Sequence, residues 1–314
     1  MLLIIIIIII VILAGFKFYY SLSSGMCTCD ARMDGKVVIV TGANTGIGYE
    51  TARELAQRGA RVILACRSAQ KGIAAVDSIR TATGNTDVVF KQLDLCSLRS
   101  VRIFAEDILN TESKLDVLIN NAGTGILDNS LTEDNIPIEA QVNHFAPFLL
   151  TVSLLPLIKK SAPSRIINVS SLMHKFGKID LNKFHKQAKN SFEHRRVYSN
   201  TKLANILFTN KLSKDLKGTG VTANSVHPGV VSTDIFRDKY AITKYLIRLL
   251  FKTPLQGAQT SIYLAVSPEL KETTGKYFVD CCKARTSASG QDADLANKLW
   301  DLSCQVVNSE KKDL

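Results

Sequence analysis

The chain opens with an unbroken apolar run, LLIIIIIIIVILAGF at 2–16, which Phe18, Tyr19, Tyr20 and Leu22 extend past a lone Lys17. Coiled as a helix, residues 1–22 reach about 33 Å at roughly 1.5 Å per residue, enough to cross a hydrocarbon core about 30 Å thick. Lys17 would then snorkel to one interface, with Tyr19 and Tyr20 in its aromatic belt. The competing reading is a cleaved secretory signal, which carries a shorter apolar region behind positive charge. Here only the α-amino group precedes the run, while Lys17, Arg32 and Lys36 follow it. The charge bias predicts a single-pass signal anchor with the rest of the chain in the cytosol.

Beyond residue 34, short β-branched runs alternate with longer stretches at helical spacing. The expected strands are Val37–Thr41, Arg61–Cys66, Val88–Leu93, Asp116–Asn120, Arg165–Ser170, Val221–His227 and Lys276–Val279. Most are nearly all apolar, as strands covered on both faces of a parallel sheet must be. Segments of 19 residues or more separate the first six, which leaves room for crossover helices. The pattern predicts an α/β fold, a Rossmann-type doubly wound parallel sheet with ligands at the carboxyl ends of the strands. No Pro- or Ser-rich linker and no internal repeat interrupts residues 35–300. A single catalytic domain at 35–300 is expected between the anchor at 1–22 and a charged C-terminal tail at 301–314.

Composition narrows the partners. With 46% hydrophobic and 21% charged residues over 314 positions, the chain can bury a full core. Its formal charge of +11 favours an anionic partner: a phosphorylated cofactor, an acidic membrane surface or nucleic acid. The basic residues are not interleaved with aromatics in a nucleic-acid motif, so no nucleic-acid partner is expected. Seven cysteines, at 27, 29, 66, 96, 281, 282 and 304, are too scattered for a disulfide scaffold, and most should be reduced thiols. Cys27-Thr28-Cys29 and Cys281-Cys282 lack partners at ligand spacing, so no metal site is expected. The N-x-S/T sequon at Asn168 falls in an expected core strand, a poor glycosylation site. The terminal Lys311-Lys312-Asp313-Leu314 resembles the dilysine signal read on the cytosolic side of the endoplasmic reticulum, with a solvated charged tail as the alternative. Together these place the protein in the endoplasmic reticulum membrane, its catalytic domain facing the cytosol.

The candidate chemistry sits where strands end. The first strand runs into Thr41-Gly42-Ala43-Asn44-Thr45-Gly46-Ile47-Gly48 and then a helical segment. Glycines at such a turn let the backbone approach a pyrophosphate, and the helix N-terminus offers it free N–H groups. The second strand ends at Ala65-Cys66-Arg67-Ser68, where an NAD-specific domain usually places an acid. A guanidinium there pairs with a 2′-phosphate that a carboxylate would repel, so NADP(H) is the expected cofactor. Asp94 and Leu95 after the third strand, and Asn121, Ala122 and Gly123 after the fourth, fall on the same edge. There they would meet the adenine and let the nucleotide lie flat; helix capping is the alternative for either pair.

Tyr198 and Lys202 stand four apart on a helical segment, so they share a face and the ammonium should lower the phenol pKa from about 10. Ser171 and its neighbour Ser170 close the fifth strand, where a hydroxyl can orient a substrate oxygen. Asn143, after the fourth strand, can hold a water that relays protons to the lysine. Hydride transfer is the leading reading, with the residues acting as general acid and base.

These residues resemble the short-chain dehydrogenase/reductase family from about 35 to 300. TGxxxGxG, NNAG, the strand-end serine and YxxxK occur in the family's order. The resemblance implies a catalytic tetrad of Asn143, Ser171, Tyr198 and Lys202, with Ser171 rather than Ser170 touching substrate. GANTGIG, LACR, LDVLINNAG, HPGVV at 227–231 and GKYFVDC at 275–281 are similar to the microsomal retinol dehydrogenases, which implies membrane anchoring, NADP(H) and a retinoid or other lipophilic aldehyde or alcohol. It also implies that Gly42, Asn44, Thr45, Gly46, Ile47 and Gly48 hold the cofactor, with Gly229, Val230 and Thr233 at its nicotinamide end. Two positions depart from that pattern. Tyr49 replaces an expected lysine, and Pro147, in Asn143-His144-Phe145-Ala146-Pro147, implies a helix kink near Asn143.

Between Gly229 and Pro254, Lys244, Arg248 and Lys252 recur every four residues in an apolar stretch. They form either one basic stripe of a headgroup-lying helix or the wet side of a lid over the substrate. The alternatives left open are a steroid or lipid-aldehyde reductase and a catalytically silent NADP-binding scaffold. Oligomeric state, a homo-oligomer included, is not legible.

Overall fold

The computed structural model describes Gly15 and residues 24–125, 129–231 and 251–308. The anchor at 1–22 (Gly15 apart), Thr233, Lys244, Arg248 and the dilysine at 311–312 lie outside the described residues.

Eight strands form one sheet in the order β3-β2-β1-β4-β5-β6-β7-β8. They are β1 Val37–Thr41, β2 Arg61–Cys66, β3 Val88–Gln92, β4 Val117–Asn120, β5 Ser164–Val169, β6 Val221–His227, β7 Tyr277–Val279 and β8 Cys282–Ala284. The first seven run parallel, and β8 returns antiparallel beside β7. The strand order reverses between β1 and β4, and the crevice at their carboxyl ends is where such a sheet binds its ligand.

The sheet's alternation divides the core in two. Ile39, Ile63, Leu118 and Ile166 point to one face, covered by α3 (Leu98–Thr111), α4 (Ala146–Lys160), α5 (Ser191–Asp215) and α7 (Ala293–Val306). Val38, Val40, Val62, Leu64 and Ile119 point to the other, covered by α1 (Gly46–Gln57), α2 (Ala69–Thr83) and α6 (Pro254–Val266). With both faces dry, the strands read as continuous apolar runs.

Several expectations shift. Strand ends move by one residue because polar side chains at the edges do other work: the Asp116 carboxylate accepts from Val37 N at 2.9 Å and Lys36 Nζ at 2.8 Å, one residue before β4. Strand β8, with its exposed CKA sequence, carries no apolar signature. It is created by the turn at Asp280 and Cys281, whose φ angles of 51° and 60° fold β8 back on β7. Residues 301–306, expected in the charged tail, continue α7, which packs Trp300, Ser303 and Cys304 inward at helical spacing, with Val307 buried just beyond it.

Pro147 does not break a helix midway. It sits in the first turn of α4, which follows a short helical turn at Ile138–Ala140 and a wider π turn at Gln141–Phe145. Having no N–H, Pro147 cannot give Asn143 O its ordinary i+4 donor, and the backbone widens where that bond is missing. Residues 138–160 are long and apolar enough to cross a membrane, yet they are mostly buried in the protein, with Phe145 and Phe148 in the core.

Candidate active site

The glycine turn and the β4 loop lock together. Thr41 Oγ1 accepts from Asn121 N and Ala122 N, both at 3.0 Å, and Asn121 Nδ2 donates to Thr41 O at 2.8 Å. Gly42 takes a φ of 64°, and a Cβ there would lie 3.0 Å from Ala122 Cα. A Cβ on Gly48 would lie 2.5 Å from Asn121 Nδ2. Cys66 closes the turn from the β2 side: burial pushes its thiol up to about 11, and the Ala43 and Asn44 main chain pulls it part of the way back.

Helix α1 starts at this turn with no side-chain cap on Thr45 and no acid in its first turn. Its leading N–H groups and positive dipole end therefore face the crevice, the geometry that suits a pyrophosphate. Arg67 is exposed past the end of β2, and Asp94 accepts from Cys96 N at 2.9 Å beside it. Leu95 is buried behind them. Tyr49 points away from this edge, its hydroxyl 2.7 Å from Ser78 Oγ on α2. Gly229 and Val230 follow β6 on the same edge of the sheet.

The expected tetrad converges at the ends of β5 and α5. Asn143 is buried, with Nδ2 donating to Thr124 O at 2.9 Å and Thr201 Oγ1 at 3.1 Å, and Oδ1 accepting from Thr124 N at 2.8 Å. A Cβ placed on Gly123 would be 3.3 Å from both Asn143 Oδ1 and Lys202 Nζ. The two strand-end serines divide their tasks. The Ser170 hydroxyl donates to Lys202 O at 2.6 Å and is buried, whereas the Ser171 hydroxyl bonds to Tyr198 and accepts from Met173 N at 3.2 Å.

Lys202 is buried, its Nζ 5.5 Å from the Tyr198 ring centroid and 3.3 Å from Val169 O. Burial lowers its pKa to about 8. The Tyr198 phenol moves up rather than down: burial raises it, the Ser171 hydrogen bond offsets part of that, and Glu139 adds to the rise. The expected lowering by Lys202, whose Nζ lies 5.5 Å from the ring centroid, does not act here, and desolvation prevails.

Sequence reasoning gave no role to the two histidines that hold Ser171. His174 Nε2 accepts from Ser287 N at 3.1 Å, so its Nδ1 carries the proton and donates to Ser171 O at 2.7 Å. His227 Nδ1 accepts from Leu172 N at 3.2 Å. The carbonyl of Ser171 and the next amide are thus both gripped by neutral imidazoles. Burial keeps them so, taking His227 to about 4 and lowering His174. His227 was visible only as a letter in HPGVV, with nothing in its spacing to mark a partner 55 residues away.

Lys252 was assigned to a solvated basic stripe. Instead it is 3% exposed and ion-paired with Asp280, and its N donates to Val230 O at 3.0 Å. Its ammonium is fully engaged inside the protein and cannot meet a headgroup.

A short chain dehydrogenase family model matches residues 36–242. Mouse retinol dehydrogenase 11 is 48% identical over 91% of this chain and 90% of its own, and mouse retinol dehydrogenase 12 is 46% identical over the same shares. Among solved structures, an uncharacterized protein from Mycobacterium paratuberculosis superposes with a TM-score of 0.72 at 32% identity, covering 91% of this chain and 98% of that one. A short chain dehydrogenase from Escherichia coli CFT073, solved in complex with NADPH, gives 0.63 at 25% identity over 80% and 99%. Fold, strand-end residues and relatives agree: the chain belongs to the short-chain dehydrogenase family, as an oxidoreductase acting on CH–OH donors.

Proposed function

We propose that the protein transfers a hydride between NADP(H) and a lipophilic carbonyl or alcohol, with retinal and retinol as the favoured pair. The observation that carries this reading is the convergence of Ser171, Tyr198 and Lys202 beside the braced glycine turn. The Gly42–Gly48 turn, the uncapped α1 N-terminus and exposed Arg67 fit a dinucleotide with a 2′-phosphate. When bound, that cofactor supplies the hydride. Everything else falls to the chain. Tyr198, kept as a phenol by burial, carries the proton that a reduced carbonyl oxygen needs. Ser171, its backbone gripped by His174 and His227, orients that oxygen. Lys202 presents its ammonium between the phenol ring and Gly123, where it would hold the nicotinamide ribose. Asn143 fixes the loop at Thr124 and steadies Thr201 on α5.

The relatives' names favour a retinoid, and the apolar stretch between Gly229 and Pro254 favours a long apolar substrate over a sugar or acid. We further infer that residues 1–22 anchor the protein in the endoplasmic reticulum membrane with the catalytic domain in the cytosol. A screen of NADPH oxidation by membrane-bound protein over retinal, a ketosteroid and a medium-chain aldehyde tests the function. Retinal should give the highest kcat/KM, and no oxidation with any of the three would overturn the reading. Protease added to intact microsomes should remove the catalytic domain.

A further inference from the structure

Between the catalytic Ser171 and Tyr198 the chain makes an excursion whose surface the proposed reaction does not use. Residues 172–196 carry seven Lys and Arg against Asp180 and Glu193, a net charge of +5 beside the whole chain's +11. Lys175, Lys178, Lys186 and Lys189 are exposed. Large apolar side chains stand out among them: Phe176 is 68% exposed and Phe192 63%, with Leu172 and Met173 at 43% and 41%. The Arg196 guanidinium lies 4.2 Å from the Phe192 ring centroid. Exposed bulky apolar groups interspersed with cations are the signature of a surface that enters the headgroup region of an anionic bilayer.

Two placements give this patch its direction. Its neck is the pair Ser171 and Tyr198, so it borders the site where a lipophilic substrate must enter. The continuous described stretch that starts at residue 24 meets the same edge: the Gly25 backbone packs so closely on Asp280, at the carboxyl end of β7, that no Cβ fits between them. Gly25 is three residues beyond the apolar run at 1–22. Gly25 and the excursion therefore share the carboxyl edge of the sheet. The stripe first expected to meet the membrane has lost Lys252 to its buried pair with Asp280.

We propose that residues 172–196 form a docking face for anionic phospholipid, which turns the substrate entrance toward the bilayer that residues 1–22 enter. The proposal rests on the lipophilic-carbonyl reading for its purpose but not for its test. Hydrogen exchange is measured on the full chain in vesicles of phosphatidylcholine alone, in vesicles with about 30 mol % phosphatidylserine, and in neutral detergent. Amides of 172–196 should gain protection only with phosphatidylserine, and the Lys175→Glu/Lys186→Glu/Lys189→Glu variant should lose that gain. The KM for a bilayer-dissolved aldehyde should fall about threefold or more with phosphatidylserine for the unaltered chain and not for the variant, while rates with a water-soluble aldehyde stay equal. Equal protection in all three media, or protection that survives charge reversal, overturns the proposal. So does protection in detergent that rises with protein concentration, which would assign the face to a second copy of the chain. If no lipophilic aldehyde reacts but the lipid-dependent protection is present, the functional reading fails and the docking face stands.

Discussion

Replacing Lys202 with Met should make the protein inactive and more stable. Burial holds the Lys202 pKa at about 8 against its ordinary 10.5. At about 1.4 kcal/mol per pKa unit, that gap means the fold carries roughly 3 kcal/mol of desolvation at neutral pH. Met is similar in length and apolar, and Val169 O keeps a donor in Asn205 Nδ2 at 3.1 Å when the ammonium is gone. The sign is set by the depressed pKa of a base. Below pH 8 the ammonium is present in both states and the full penalty applies; between 8 and 10.5 only the unfolded chain binds the proton and the penalty fades; above 10.5 it vanishes. The midpoint of thermal unfolding, read from the fluorescence of the single tryptophan, Trp300, should rise by about 4–6 °C at pH 7 in Lys202→Met, with the difference closing by pH 10.5. An unchanged or lower midpoint at pH 7, or a gain that persists at pH 10.5, would refute the reasoning.

Gly48→Ala should raise the KM for NADPH at least tenfold in steady-state assays while the folded signal of Trp300 persists, because its Cβ would press on the Gly42 carbonyl as well as on Asn121 Nδ2 and push the glycine turn out of shape. Arg67→Glu should invert the NADPH over NADH preference in kcat/KM, losing about 10–100-fold with NADPH. Acid unfolding should begin early: His144 and His227 are both held near 4 by burial, so stability is complete above pH 6.5 and lost as pH falls toward 4, and His227→Asn, which retains an acceptor for Leu172 N, should flatten that fall while preserving most of kcat.

The sheet was legible because both of its faces are covered: continuous β-branched runs separated by crossover-length segments admit few other folds. The glycine turn and Ser171 were legible because they follow strands directly, and Tyr198 and Lys202 because their four-residue spacing sets them on one face of α5. What the sequence concealed were pairings across distance. The grip of His227 on the segment at Ser171 joins the ends of β5 and β6, and the Lys252–Asp280 pair reverses the solvent exposure that a four-residue periodicity suggested. The upward shift of Tyr198 was hidden for the same reason, since spacing on a helix gives proximity of a lysine but not the depth at which both groups lie. Strand β8 depends on two left-handed turn residues, Asp280 and Cys281, that local composition does not advertise.

The central claim is that Tyr198 delivers the proton while Lys202 and the glycine turn hold the cofactor. Tyr198→Phe in the membrane-bound protein isolates it, with NADPH affinity measured by fluorescence titration beside turnover of retinal. NADPH affinity should stay within about twofold while kcat falls by three orders of magnitude or so; a Tyr198→Phe variant that reduces retinal at a rate near that of the unaltered protein would contradict the account.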